Sequence, residues 1–219
     1  MRVSIHQPDL FPYSGFWYKL ASSDAMVISP HDQFMKRGYQ RRVRMRGKWC
    51  SLPLVGNPHL VPISEVKASP GWRLHLLNVI RGRYAGSPLW WKRGEDVCER
   101  IACCETDSLA DINMELLSWM GSELGIRTPL ICVKEPPKER GIFRLIEQVQ
   151  SIGGTEYLSG PGGRAYMGKD PESTFRQAGL GLSWSDHQPT TADSILSVYF
   201  DYNDPLAVVM RRLSDGVYT

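Results

Sequence analysis

The chain has 219 residues, 42% of them hydrophobic and 22% charged, with a formal net charge of +3. That length fills one sizeable core without demanding two domains, and the composition is that of an ordinary soluble globular protein. No apolar run approaches the ~20 residues of a membrane-spanning helix, and His6 arrives too early for a signal-peptide core, so a cytoplasmic protein without membrane contact is expected.

In chain order, Val3 to His6 reads as a strand ended by Pro8, and Tyr13 to Ala21 as a helix carrying Phe16, Trp17 and Leu20 at helical spacing. Ala25 to Ser29 is a buried strand stopped by Pro30. Strand, helix, strand at this spacing opens a βαβ unit. Trp49 to Val55 and Ile63 to Ala68 read as two more strands. From Trp72 to Leu124 the pattern is helical, with breaks at Gly86-Ser87-Pro88 and Thr106-Asp107-Ser108, the second offering Asp107 or Ser108 as an N-cap.

Pro129 to Val133 is a strand, and Glu139 to Ser151 an amphipathic helix ended by Gly153-Gly154. Thr155 to Ser159 is a strand running into the turn Gly160-Pro161-Gly162-Gly163. Leu180 to Trp184 and Ile195 to Tyr199 read as final strands, and Pro205 to Leu213 as a terminal helix. Together these elements predict one α/β domain over residues 1–219, with a mixed, largely parallel central sheet flanked by helices.

The five cysteines form no CxxC or other common zinc spacing, so reduced, mostly buried thiols and no metal site are expected. The glycine turn at 160–163 lacks a following GKS or GKT and matches no G-x-G-x-x-G fingerprint, so no nucleotide cofactor is implied.

His6 and Asp32 follow the C-terminal ends of the first two strands, where open α/β sheets bind ligands. Asp32 is the first candidate for the general base, with His6 or His31 sharing the role. A cationic pocket keeps Asp32 ionised, which suits binding an ammonium but weakens it as a base, and His6 has the intrinsic pKa better suited to transfer near neutrality. Lys36, Arg37, Arg41, Arg42, Arg44, Arg46 and Lys48 fall in a stretch without an acid. Such a cluster binds small anions, nucleic acid or an acidic protein, or simply keeps an edge strand soluble. The aromatic residues do not interleave with it, which argues against nucleic acid. Alternation along an extended segment lets only about half of these cations face one site, and Lys36, Arg37, Arg41 and Arg44 are the candidates.

Gln7 and Gln40 can orient a carbonyl or carboxylate. Arg164, Tyr157, Ser159 and Tyr166 flank the glycine turn and extend the site as binding residues. Ser159 lies in no G-x-S-x-G elbow. His75 sits on a helix with Trp72 and Val79, either as a substrate contact or as a packing residue.

Several of these segments together resemble the WbqC-like protein family: Ile5-His6-Gln7-Pro8 with Pro12-Tyr13 and Gly15-Phe16, then Asp32-Gln33-Phe34 with Lys36-Arg37-Gly38-Tyr39-Gln40-Arg41. Further matches are Trp72-x-x-His75 with Tyr84, Asn113, Tyr157-Leu158-Ser159-Gly160 with Arg164-Ala165-Tyr166, and Ser194-Ile195-Leu196. The chain departs from the family pattern at Pro30-His31-Asp32, at Arg42 in place of an Asn, and at Ser197 in place of an Asp.

The resemblance implies an enzyme of surface-sugar or antibiotic pathways acting on a small, anionic, amine-bearing substrate. Two activities fit. One is amine cyclisation with loss of an oxyanion, as in aziridine synthases of azinomycin-type pathways, where a sulfated substrate rides on a carrier protein. The other is acyl or aminoacyl transfer onto an amino group of a nucleotide sugar or natural product. The first is the leading expectation, because the cationic stretch suits an anionic leaving group and no acyl-enzyme nucleophile stands out. A non-catalytic module that docks an acidic carrier protein is the reading from outside enzymology.

Overall fold

A computed structural model describes residues 1–212. The first strand, β1 (Arg2–His6), pairs in parallel with β2 (Ala25–Ile28), and after it come β3 (Arg42–Met45) and β4 (Lys48–Ser51). Later strands are β5 (Leu130–Cys132), β6 (Glu156–Ser159) and β7 (Gly181–Trp184). Five of them form a wholly parallel sheet in the order β5-β2-β1-β6-β7, and β3 and β4 form a separate antiparallel hairpin. The single α/β domain expected from the sequence is therefore present, with its antiparallel pairing confined to the hairpin.

Helices cover both faces of the sheet, so every residue of β2 is buried. On one face lie α1 (Ser14–Ala21), α2 (Trp72–Tyr84), α3 (Trp90–Ala102), α4 (Leu109–Glu123), α7 (Ile195–Asp201) and α8 (Pro205–Val209), sharing the larger core with Met26 and Ile28. On the other lie α5 (Gly141–Ser151) and α6 (Pro171–Gln177), packed with Val3, Ile5, Val27 and Tyr157. Alternation along β1 sends Val3 and Ile5 towards α5 and leaves Ser4 and His6 on the α1 face. Ser108 caps α4 by accepting from the Asp111 amide, as one of the two expected caps.

Three expectations change, and the basic run resolves in part as a strand: Arg42–Met45 is closed onto Lys48–Ser51 by Arg46-Gly47, both at positive φ as a type I′ turn demands. Val43, Met45 and Cys50 face the core and the arginines face out, so charge masked a period of two. Ile63–Ala68 is not a strand but a 3-10 turn, Ile63–Glu65, followed by isolated bridges at Lys67 and Ala68. Ile195–Tyr199 is helical, begun by the Ser194 cap, because a short, fully buried apolar run carries no periodic signal to separate helix from strand. The terminal helix ends at Val209; Leu213 lies outside the described residues.

The order of the sheet fixes where a ligand can sit. The chain builds outward from β1 through β2 to β5, then returns to the other side for β6 and β7, so strand order reverses between β1 and β6. Pairing there is short. β1 keeps register with β2 over Val3 to His6, but with β6 only at Arg2 and Val3. Beyond Val3 and Tyr157 the two strands part, and the gap at their C-terminal ends is the crevice that such sheets use for binding.

Candidate functional site

A cavity of about 570 Å³ fills that gap. Ile5, His6 and Gln7 form its β1 side, Tyr157, Ser159 and Gly160 its β6 side, and Lys19, Asp32 and Arg144 reach in from neighbouring elements. Its size suits a small organic molecule.

His6 ends β1 and packs edge-on against Phe16 of α1, ring centroids 4.8 Å apart. Its Nδ1 lies 3.1 Å from the Gln7 carbonyl and 3.5 Å from Asp9 Oδ2. Both neighbours are acceptors, so a neutral ring carries its proton on Nδ1 and offers Nε2 as the acceptor. Burial, aided by the charge of Lys19 and opposed by the Gln7 carbonyl, lowers the pKa of His6 to about 3. The ring is therefore neutral across the physiological range. Asp9 behind it is buried, its Oδ1 meets no hydrogen-bond partner among the described residues, and desolvation raises its pKa to about 7 despite Lys19.

Asp32 is held differently. Ser29 Oγ donates to Oδ1 at 2.9 Å, Gln7 Nε2 donates to Oδ2 at 3.2 Å, and Arg144 forms an ion pair with Oδ1. Gln148 of α5 in turn donates to Ser29 Oγ at 3.1 Å. A carboxylate engaged by three donors is fixed in its orientation.

The loop carrying Gln40 is fastened to the first motif. Gln40 Nε2 donates to Gln7 Oε1, and buried Asn113 of α4 donates to the carbonyls of Pro8 and Gln40, each at 2.7 Å. Gly38 is required here, since a Cβ would run into the Gln40 amide. On the opposite wall a Cβ at Gly163 would strike the Ser159 hydroxyl, so the glycine turn packs directly onto the end of β6.

Of the residues expected from sequence, His6, Gln7, Asp32, Tyr157, Ser159 and Tyr166 line the cavity, and Gln40 supports it from behind. Tyr157 stacks on Phe175 with centroids 5.4 Å apart, and burial pushes its phenol pKa up. Ser159 donates to the Gly160 carbonyl at 3.1 Å. The others lie elsewhere. His31 contacts the Lys134 carbonyl at 2.9 Å, His75 is exposed on α2, and the Arg164 guanidinium stacks 4.2 Å over Trp184. Lys36 and Arg37 are exposed outside the cavity, Arg41 is half-buried outside it, and Arg44 pairs with Asp193 at 2.8 Å.

Sequence reasoning missed Asp9, Lys19, Arg144 and His187. Lys19 carried a signal: it is a lone charge inside the otherwise apolar helix Ser14–Ala21. Arg144 carried none, as one polar residue on an amphipathic helix. His187 comes to the mouth beside α1, with Nε2 2.8 Å from Ser14 Oγ and Nδ1 3.2 Å from the Arg211 carbonyl.

The family model described as WbqC-like protein family matches residues 7–193 of this chain. The chain belongs to the WbqC-like protein family. A relative from Mycobacterium tuberculosis strain ATCC 25618 / H37Rv, "Uncharacterized protein Rv1507c", is 23% identical over 193 residues, covering 85% of this chain and 82% of its own. No solved structure gives a significant match.

Of the segments by which the sequence resembled the WbqC-like family, the first and the one ending β6 reach the cavity through Gln7 and Ser159, and Asn113 braces the first from behind. Of the departures, Pro30-His31-Asp32 brings Asp32 into the cavity, whereas Ser197 and Arg42 lie away from it. Ser197 bonds the Tyr84 hydroxyl at 2.9 Å in the helical layer, and Arg42 lies 4.1 Å over the Trp49 ring on the hairpin. All five cysteines are free; Cys50, Cys98 and Cys104 are buried, while Cys103 and Cys132 are exposed. No helix among the described residues is long and apolar enough to cross a membrane, and none of their His, Cys, Asp or Glu side chains cluster in threes that could hold a metal ion.

Proposed function

We propose that this WbqC-like protein is a cytoplasmic, cofactor-independent enzyme of secondary metabolism that drives intramolecular attack of an amine with loss of an anionic leaving group. The reaction closes an aziridine from the sulfate ester of a 1,2-amino alcohol. One observation carries the reading: His6 presents a neutral imidazole to the cavity with Asp9 directly behind it.

A base with a pKa of about 3 cannot by itself hold a proton taken from an ammonium. The pair can. As His6 Nε2 takes the proton, Nδ1 passes its own to Asp9, whose raised pKa of about 7 is matched to neutral pH. The freed nitrogen lone pair displaces the ester oxygen on the adjacent carbon, and the C–O bonding pair leaves with sulfate. Asp32, fixed by Arg144, Ser29 and Gln7, holds the ammonium in place for this attack.

An acidic carrier protein as the vehicle of the substrate belongs to the same proposal, with exposed Lys36, Arg37 and Lys48 as the surface that meets it. Weakening of that contact by salt is the expected signature. Acyl transfer to an amino group is the second reading, since the same base serves it. Mass spectrometry of the substrate after incubation separates them. Loss of the sulfate mass supports cyclisation, and gain of an acyl mass refutes it in favour of transfer.

A further inference from the structure

Lys19 is a buried cation without a direct ion pair. It lies on α1 one turn beyond Phe16, so the spacing that seats Phe16 on His6 turns Lys19 towards the cavity as well. Only 8% of the residue is exposed, and among the described residues its ammonium makes no hydrogen bond and no ion pair within 4.0 Å. The end of its side chain passes Gly160, where an added Cβ would sit 3.8 Å from Cδ and 4.0 Å from Nζ. Gly160 and Gly162 line the cavity beside it, with no side chains to narrow the approach.

An unpaired charge in such a place is expensive unless something supplies the opposite charge. Asp9 is the carboxylate acting on Lys19, yet desolvation raises its pKa to about 7, so at neutral pH it is ionised only part of the time and is a poor permanent counter-ion. Asp32 is already neutralised by Arg144.

We propose that Lys19 and the glycine turn at 160–163 form an oxyanion subsite that holds the acidic group of the ligand, taking over the part that charge density alone assigns to the hairpin. The group is a sulfate or a carboxylate, bound by the largely buried ammonium through a charge-assisted bond. The inference rests on the amine-attack reading only for which acidic group is meant, since that reading makes it the departing sulfate. Oxyanion binding stands without turnover.

Selenate, a sulfate isostere with an anomalous signal, is the probe. Crystals grown with selenate are expected to show it at hydrogen-bond distance from Lys19 Nζ. Affinity for sulfate in solution is expected to fall about tenfold or more in Lys19→Met, to survive in Lys19→Arg, and to be unchanged when Lys36 and Arg37 are replaced by Ala. A sulfate affinity above that of acetate marks the leaving group; the reverse marks a substrate carboxylate. Selenate confined to the hairpin cations, no selenate at all, or undiminished sulfate binding by folded Lys19→Met overturns the proposal. Cyclisation with no anion at Lys19 refutes the subsite alone; an anion at Lys19 without cyclisation refutes the activity alone.

Discussion

Seven basic residues crowd the stretch from Lys36 to Lys48, whereas the cavity between β1 and β6 has two, Lys19 and Arg144. The denser region has less charge to offer a small ligand. Arg44 is tied to Asp193, Arg46 grips Asp201 with both amino groups, and Arg42 lies on Trp49. These acids arrive 149 and 155 residues later in the chain, so two charges of a cluster that looks unbalanced in sequence are paired in space. In the cavity, one cation fixes Asp32 and the other has no direct partner. Burial and pairing, more than the number of cations, decide where an anion binds.

The largest effect expected from probing this contrast is the loss of the cavity's ion pair. Asp32 is 7% and Arg144 27% exposed at the side chain, so Arg144→Ala strands a buried carboxylate and is expected to cost about 3 kcal/mol in chemical denaturation. Arg44, 41% exposed, is expected to cost about 1 kcal/mol or less in the same measurement. Equal costs would erase the distinction between the two regions.

Asn113→Ala comes next. It leaves two carbonyls, those of Pro8 and Gln40, without their donor, and about 2 kcal/mol of stability is expected to go with it. If the Asn113 amide holds the Gln40 loop against Gln7, turnover falls further than stability alone accounts for.

Lys19→Met should act in the opposite direction and stabilise the protein. Burial lowers the pKa of Lys19 to about 8, so the neutral amine favours folding fully only above the ordinary lysine pKa of about 10.4, and that contribution is lost as pH falls through about 8. Removing the charge is therefore expected to raise stability at pH 7 by on the order of 1 kcal/mol, with a smaller gain near pH 10. A destabilised Lys19→Met would mean that the ammonium has a strong internal partner.

Anion binding titrates in the same range. The groups acting on Lys19 are Asp9 and His6, with Asp32 and Arg144 across the cavity. His6 stays neutral above about pH 3, Asp9 gains negative charge through about 7, and Lys19 loses positive charge through about 8. Both later changes repel an anion, so sulfate affinity is expected to fall as pH rises from 6 to 9 in calorimetric titrations. Rising affinity would contradict the subsite.

Much of this fold was legible before the structure. The strand at Val3 to His6, the helix around Phe16 and the buried strand at Ala25 to Ser29 have local patterns that tertiary contacts did not override. Where the pattern was weak or masked, reading failed: Ile195 to Tyr199 is buried on all sides, and the arginines of β3 hid the inward Val43 and Met45. At the site, His6, Asp32 and the glycine turn could be placed because residues at strand ends meet in a parallel sheet. Asp9 could not, and Lys19 showed only as a lone charge within α1. Their importance comes from desolvation, which depends on what Phe16, Gly160 and the gap between β1 and β6 place around them.

Turnover of a 1,2-amino alcohol sulfate ester, followed by sulfate release in variants of the two regions, tests the central claim most directly. Residual rates below about 1% of wild type are expected for His6→Ala and Asp9→Asn, in keeping with the ~100-fold or greater contribution of a positioned base. Lys36→Ala/Arg37→Ala is expected to keep its rate on a free substrate within about twofold. A Lys36→Ala/Arg37→Ala variant without activity on the free substrate, or His6→Ala and Asp9→Asn variants with wild-type rates, would contradict the placement of the chemistry in the cavity.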